Sequence, residues 1–323
     1  MPKKPKEEPK QKPAKVLSLE EMREKFPDEQ AAIDYLAGIL WQNGVVCGYC
    51  KSKNVKERKS RKNYYHCNDC NEDFTIRVGT IFHRSHVPLH KWMLAMYLIL
   101  TKRKGISSME LSKLFGISQV TAWFLDHRIR AACGNMTEKL LSGIVEADEA
   151  YIGGKEKNKH ASKKLNQGRG TVGKMHVHGL RDRNEQVALQ VVKTDDAPTL
   201  QGIIKENVLP GSTVCTDEAA AYRGLDAIAG KEFKHKTVNH SAKQYVDGMA
   251  HTNGIESVWA VLKRGFYGIY HSFSEKHLPL YLNEFEFRLN EGNCKIDTVD
   301  RLAALVRGVS GKRLTWKMLT GKI

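Results

Sequence analysis

Four cysteines restrict this chain more than any other feature. Cys47-Gly-Tyr-Cys50 and Cys67-Asn-Asp-Cys70 are two CxxC pairs with sixteen residues between them. Strand-like segments at 63–66 and 73–77 lie between and after them. That arrangement fits a ribbon in which four thiolates hold one Zn²⁺ tetrahedrally. The competing reading is a pair of redox motifs. Neither pair opens a helix after a strand in a βαβ unit, which is the setting that chemistry favours. With all four positions filled, the metal's work is folding rather than catalysis. The loop between the pairs carries Lys51, Lys53, Lys56, Arg58, Lys59, Arg61 and Lys62 beside Tyr64 and Tyr65, which suits phosphate contact or plain solvation. The odd total of seven cysteines points to a reducing compartment, hence the cytoplasm, rather than to disulfides. Cys133, Cys215 and Cys294 read as ordinary buried or half-buried thiols.

The 323 residues suffice for two or three domains, and the net charge of +16 makes a polyanion the expected partner. A membrane is not expected. The apolar run 92–100 is too short to span one, and the N-terminus lacks the apolar stretch of a secretory signal. Residues 1–18 read as a disordered basic tail, with six lysines and four prolines in the first sixteen. Residues 19–40 look helical, with a break and restart at Phe26-Pro27-Asp28.

Residues 87–132 are helical and apolar. Within them Ser107–Phe115, Gly116-Ile117 and Ser118–Arg130 read as helix, tight turn, helix, with Ser107 and Ser118 as N-caps. Leu111, Leu114, Ile117, Val120 and Phe124 are the expected joint core. This is a helix-turn-helix pattern, whose second helix can enter a major groove. Gln119, Thr121, Ala122, Asp126 and Arg128 are its candidates to face DNA.

From Ser142 the period becomes that of strands. Residues 144–152 form an apolar strand carrying Glu146, Asp148 and Glu149. A Lys/Gly/Asn/Arg loop follows at 155–170, holding Lys155, Lys163 and Arg169. Strands at 172–180 and 186–192 make a hairpin. A helix at 200–207 leads to a strand at 212–216 that delivers Asp217, and a helix at 219–225 follows. Residues 251–263 read as a helix with two stripes. Ile255, Val258, Trp259 and Leu262 face a core; Asn253, Glu256 and Lys263 share another side. A further amphipathic helix spans 275–288. The order β-β-β-α-β-α-helix is the layout of a ribonuclease-H-like core. Acids on adjacent strands are like charges that divalent cations between them would reconcile. Two Mg²⁺ at roughly 3.5–4 Å separation can activate an attacking oxygen and stabilise the leaving one at a phosphodiester. Asp148 is the preferred first acid, with Glu146 and Glu149 competing. Asp217 is the second, with N-capping as its alternative role. Either Asn253 or Glu256 is the third ligand, His251 an orienting group, and Lys263 a phosphate contact.

The chain resembles the DDE transposases of small prokaryotic insertion sequences that carry an N-terminal zinc ribbon, the ISXO-like group. The resemblance rests on the two CxxC pairs, Gly105-Ile-Ser-Ser-Met-Glu-Leu111, Ala122-Trp123, Val145–Lys155, Thr216-Asp217-Glu218, His251-Thr-Asn253-x-Ile-Glu256-x-x-Trp259-x-x-Leu-Lys263-Arg264-Gly265, and the 281–288 block, covering about residues 20–290. It implies cutting or nicking at element ends and transfer of a 3′-hydroxyl into target DNA with Mg²⁺ or Mn²⁺. Asp148 and Asp217 match the first two metal acids, the third position being Asn or Glu. Arg264 joins the expected DNA contacts. Double-stranded DNA is the implied partner. A homo-oligomer holding two ends is expected by analogy. The expected architecture is a multidomain α/β chain: tail 1–18, helix plus zinc ribbon 19–86, helix-turn-helix region 87–140, ribonuclease-H-like core 141–296, and a basic helical appendage 297–323.

Overall fold

The computed structural model describes residues 13–134, 140–154, 160–165, 171, 173–228, 233–238 and 251–321. Most of the expected tail, residues 1–12, lies outside them. Residues 13–18 are tied down rather than loose: the Lys15 amide donates to Asp297 at 2.6 Å, and Leu17 is buried.

Ser18 and Glu21 form a capping box at the start of α1 (Leu19–Lys25), and Asp28 caps α2 (Glu29–Leu40). The ribbon follows as three short antiparallel strands, β1 (Val55–Glu57), β2 (Tyr65–Cys67) and β3 (Asp73–Phe74). Then come α3 (Leu89–Thr101), α4 (Ser108–Phe115) and α5 (Gln119–Cys133). Ser107 and Ser118 are the caps, each accepting an amide at 3.1 Å, and Gly116 turns the chain at φ +61°. A residue with a Cβ is disfavoured at that angle.

A five-stranded sheet comes next, in the order β6-β5-β4-β7-β8. Its strands are β4 (Ile144–Ile152), β5 (Met175–Asp182), β6 (Val187–Val192), β7 (Thr213–Thr216) and β8 (Lys234–Thr237). β4 is central, antiparallel to β5 and parallel to β7. α6 (Ala197–Asn207) precedes β7, and a 3₁₀ turn at Ala220–Tyr222 and α7 (Leu225–Ile228) follow it. The helix expected at 219–225 is thus broken in two. The β-β-β-α-β-α order is as expected, with β8 as an addition at the edge. α8 (Asn253–Gly265) runs into a π-helical turn (Phe266–Tyr270), and α9 (Leu278–Leu289), α10 (Thr298–Arg307) and α11 (Trp316–Thr320) complete the chain.

Pleat alternation divides the sheet. Val145, Ala147 and Leu180 pack with Leu200, Ile203 and Ile204 of α6. Ala150, Ile152 and Val177 pack on the other face with Ile255, Trp259 and Leu262 of α8 and Phe285 of α9. The edge strand β6 is covered from α9. Asn290 accepts the Val187 amide and donates to its carbonyl, both at 2.8 Å, and Glu286 accepts the Leu189 amide.

Two expectations about the helices change. α10 is no appendage: Leu302, Leu305 and Val306 are buried in one core with α1, α2, α3 and α5, so residues from three expected units share it. The face assigned to DNA on α5 is also wrong in part. Ala122, Asp126 and Arg128 are buried, while Leu114 and Val120, expected inside, are half exposed. Arg128 donates to the His83 carbonyl and lies over Trp92 and Phe124. Only the first turn of α5, with Gln119 and Thr121, is exposed.

His127 of α5 is fully buried among Trp123, His277 and Tyr281, and neither ring nitrogen has a partner among the described residues. Burial, with help from the Arg130 charge, pulls its pKa down to about 2. An unfolded histidine protonates near 6.5. Below that pH the unfolded chain takes a proton that the folded one refuses, so this contribution to stability is complete above about 6.5 and lost on acidification, by about 2 kcal/mol at pH 5. His127→Phe, which keeps the ring contacts, is expected to flatten the acid-side fall of the urea midpoint; unchanged pH dependence would count against this account.

Candidate functional site

Asp148 sits in the middle of β4, opposite Gly179 on β5. On the other side β4 and β7 pair with Glu146 opposite Cys215. Continuing that register two residues brings Asp217, just past β7, level with Asp148. The two carboxylates therefore stand at neighbouring positions of one sheet. Asp217 also accepts the Ala219 amide at 2.9 Å, a local turn contact rather than an N-cap, since the following 3₁₀ turn is capped by Ala219 with no side-chain cap bond. Glu256 projects from the first turn of α8 and is exposed, as are Asn253 and Lys263.

Burial raises the Asp148 pKa to about 6; the Glu149 amide and the Trp259 indole oppose the rise, and the charges of Asp217 and Glu256 add to it. A carboxyl pushed up by burial and by two further carboxylates is a group that a cation would return to its ionised form. The donor set thus fits a hard divalent ion.

Trp259 does more than fill the core. It is buried, and its Nε1 donates to Asp148 Oδ2 at 2.9 Å. The ring reaches there because position 179 has no side chain: a Cβ on Gly179 would collide with the indole. Glu146 is committed elsewhere. Its buried carboxylate pairs with Arg183 at 2.7 Å and His251 at 3.3 Å, and accepts the Ile255 amide at 2.8 Å in the first turn of α8. It is therefore the anchor of that helix, and His251 orients it. Arg181 of β5 holds the same turn through the Gly254 carbonyl at 2.6 Å and Ser257 at 2.8 Å. Glu149 points to the opposite face from Asp148, where it accepts from the Tyr222 hydroxyl, which also meets His178 at 3.2 Å. Burial there lifts the Glu149 pKa to about 7. None of these supporting contacts is legible in the sequence, although a glycine facing an acid across a ladder is the kind of signal that would reveal the indole.

In the ribbon the sulfurs of Cys47, Cys50, Cys67 and Cys70 all lie within 4.8 Å of one another. Among the described residues they are the one His/Cys/Asp/Glu group gathered so closely; the three carboxylates are not. The Cys70 amide leads in lowering the Cys67 thiol to about 7, while burial and the adjacent sulfurs push Cys70 up to about 12. Four sulfurs that compete for ionisation are the donor set a Zn²⁺ ion satisfies. Of the other expected contacts, Arg264 is exposed and Lys163 ends a 3₁₀ turn, whereas Lys155 and Arg169 lie outside the described residues. Arg128 is removed from the DNA-facing set by its burial.

The ISXO2-like transposase domain model matches residues 140–290, and the transposase zinc-ribbon domain model matches residues 27–73. A protein described as an uncharacterized protein in transposable element ISH50, from Halobacterium salinarum, is 30% identical over 274 residues, covering 81% of this chain and 91% of that one. The chain belongs to the ISXO2-like transposase family. An uncharacterized transposase-like protein of Haemophilus influenzae is 34% identical over 118 residues, 36% of this chain and 91% of that one. Two solved structures, the Mos1 transposase paired-end complex with left transposon end and the Mos1 strand transfer complex, align over 62% of this chain and 77% and 76% of theirs. Their identities are 12% and 13% and the TM-score is 0.22 for each, a likeness too slight to bear on the site. No helix among the described residues of this transposase-family chain is long and apolar enough to cross a membrane.

Gly254 tests the anchoring of α8. A Cβ there would stand 2.6 Å from a Glu146 carboxylate oxygen, and that carboxylate is held on several sides. Gly254→Ala is expected to cost about 1–3 kcal/mol in urea unfolding; a loss below about 0.5 kcal/mol, the scatter of ordinary surface changes, would argue that Glu146 does not clamp the helix.

Proposed function

We propose that this chain is the transposase of an insertion sequence, cleaving DNA at the element's terminal inverted repeats and transferring the 3′-hydroxyl to target DNA. The observation that carries the reading is the alignment of Asp148 and Asp217 on adjacent strands, with Glu256 close enough for its charge to act on Asp148. Asp148, Asp217 and Glu256 would hold Mg²⁺ or Mn²⁺, which when bound activates the attacking oxygen and neutralises charge at the phosphodiester. Asn253, one turn before Glu256, would contribute a neutral oxygen. Trp259 fixes one oxygen of Asp148 and so sets the direction of the other. Glu146 and Arg181 fix the height of α8 above the sheet. Lys263 and Arg264 would bind phosphates of the strand being processed. The exposed first turn of α5, with Gln119 and Thr121, is the part of the helix-turn-helix that DNA would meet. Zn²⁺ on the four cysteines would hold the ribbon folded. Synapsis of two ends would require at least two copies.

Two experiments check this. Asp148→Asn and Asp217→Asn are each expected to lower cleavage and joining of labelled terminal-repeat DNA in Mn²⁺ by at least about a hundredfold, with binding of the same duplex retained. Normal joining by either variant would overturn the assignment. Stripping the ribbon with a strong zinc chelator is expected to make residues 41–80 the first site of protease attack while the sheet domain keeps its melting transition; an unchanged digestion pattern would exclude a structural metal there.

A further inference from the structure

At the C-terminal end of α8 lies an open groove of about 450 Å³, lined by Lys104, Lys263, Arg264, Tyr267, Gly268 and Ile269. We infer that this groove binds an unpaired DNA strand, with Lys104, Lys263 and Arg264 on its phosphates and the ring of Tyr267 under one of its bases. The inference rests on the reading of the chain as a DNA-processing enzyme and adds Lys104 and Tyr267 to its binding surface.

Three observations carry it. First, the cations are free for a ligand. Lys104, Lys263 and Arg264 are exposed, and none has a carboxylate partner among the described residues. Second, the groove is built. Lys104 belongs to the loop leading into the helix-turn-helix, and it is locked against the catalytic domain. A Cβ on Gly265 would stand 2.9 Å from the Lys104 carbonyl, and one on Gly105, at φ +96°, would strike the Tyr270 hydroxyl. Arg288 of α9 holds the Lys102 carbonyl at 2.9 Å. Tyr267 lies in the π-helical turn, a local irregularity frequent at functional sites. Tyr267 is 58% exposed, yet its ring is braced edge-on by Phe266 at 5.0 Å, and its hydroxyl reaches the Gly153 carbonyl at 3.4 Å. A large aromatic ring kept on the surface in one orientation is a stacking platform. Third, the position is right. Lys263 follows Glu256 by seven residues on the same stripe of α8, about 10 Å along the axis, so a strand running along that helix passes from one to the other.

The chemistry favours an unpaired strand over a duplex. A base offers its face to a ring only when it is unstacked from its neighbours. With Lys104, Lys263 and Arg264 engaged on phosphates and no carboxamide or carboxylate in the lining, sequence tolerance is expected.

The test is fluorescence anisotropy with the full-length protein and two labelled probes, an oligo-dT strand and a blunt duplex, at several salt concentrations without divalent ions. Tyr267→Ala is expected to weaken oligo-dT binding roughly 5- to 150-fold, the range for loss of one stacked base. Tyr267→Phe should bind like wild type. Lys104→Gln should reduce the salt slope for oligo-dT by about 0.7. Duplex binding should change less than twofold, and thermal melts should confirm that the variants fold. Wild-type affinity of Tyr267→Ala for oligo-dT, or an equal loss on both probes, overturns the inference. The two readings fail separately. Loss of oligo-dT binding in Tyr267→Ala by a wild-type protein that never cleaves DNA would keep the groove and remove the transposition chemistry. Cleavage that needs Asp148, with Tyr267→Ala binding unaltered, would do the reverse.

Discussion

The Glu146 carboxylate is almost wholly shut off from solvent, and the geometry of the site depends on it. A buried charge is tolerated only when paired and hydrogen-bonded. Here the compensation comes from Arg183, from His251 and from the Ile255 amide at the positive end of α8. The helix cannot leave without stranding the charge, and the charge cannot leave without uncapping the helix. Glu146 lies two residues before Asp148, so the pleat puts both on the same face of β4. One strand thus supplies an acid of the site and also fixes the helix that brings up Glu256. Gly254 and Gly179 are the complementary spaces, one for the Glu146 carboxylate and one for the indole that holds Asp148.

A second buried ionic group joins the helical region to the sheet domain. Arg130 of α5 donates to Glu284 of α9 at 2.6 Å and to Asp126 at 2.9 Å, and Glu284 also takes Arg288 at 2.9 Å and the Tyr270 hydroxyl at 2.8 Å. Removing one member of such a group leaves another charge unpaired, at a cost of about 3–5 kcal/mol. α5 is therefore tied to the sheet domain through its buried side, while its first turn, residues 119–121, is exposed. Tyr270 ends the π-helical turn next to the basic groove. The Lys102 carbonyl and Gly105, at the entrance to α4, thus pack against Arg288 and Tyr270 of the sheet domain.

Much of this was readable in advance, and where it was not the reasons are physical. The strand at 144–152 and the caps Ser107 and Ser118 stand where the sequence places them, because apolar runs and capping side chains act through neighbours in the chain. The apolar stripe of α8 is buried as its spacing demands. β8 escaped notice because Lys-His-Lys-Thr is an edge strand with little to bury, and edges carry charge. α10 read as an appendage because an amphipathic helix does not say which core it joins. Asp126 and Arg128 read as surface because charged residues are rarely buried; here Asp126 is buried against Arg130, and Arg128 against the His83 carbonyl and the rings of Trp92 and Phe124.

The sequence by itself determined most of the elements, the four-sulfur ribbon and the acids among which a divalent ion is proposed to sit, since each depends on residue type and local spacing. Tertiary structure alone decided which acid does what. Glu146, Asp148 and Glu149 are nearly alike in the sequence, yet one anchors a helix, one faces Asp217 and one turns to Tyr222. Those roles depend on what lies across the sheet and over it, on Gly179, Trp259 and Arg183, which are remote along the chain and adjacent only once the sheet has closed.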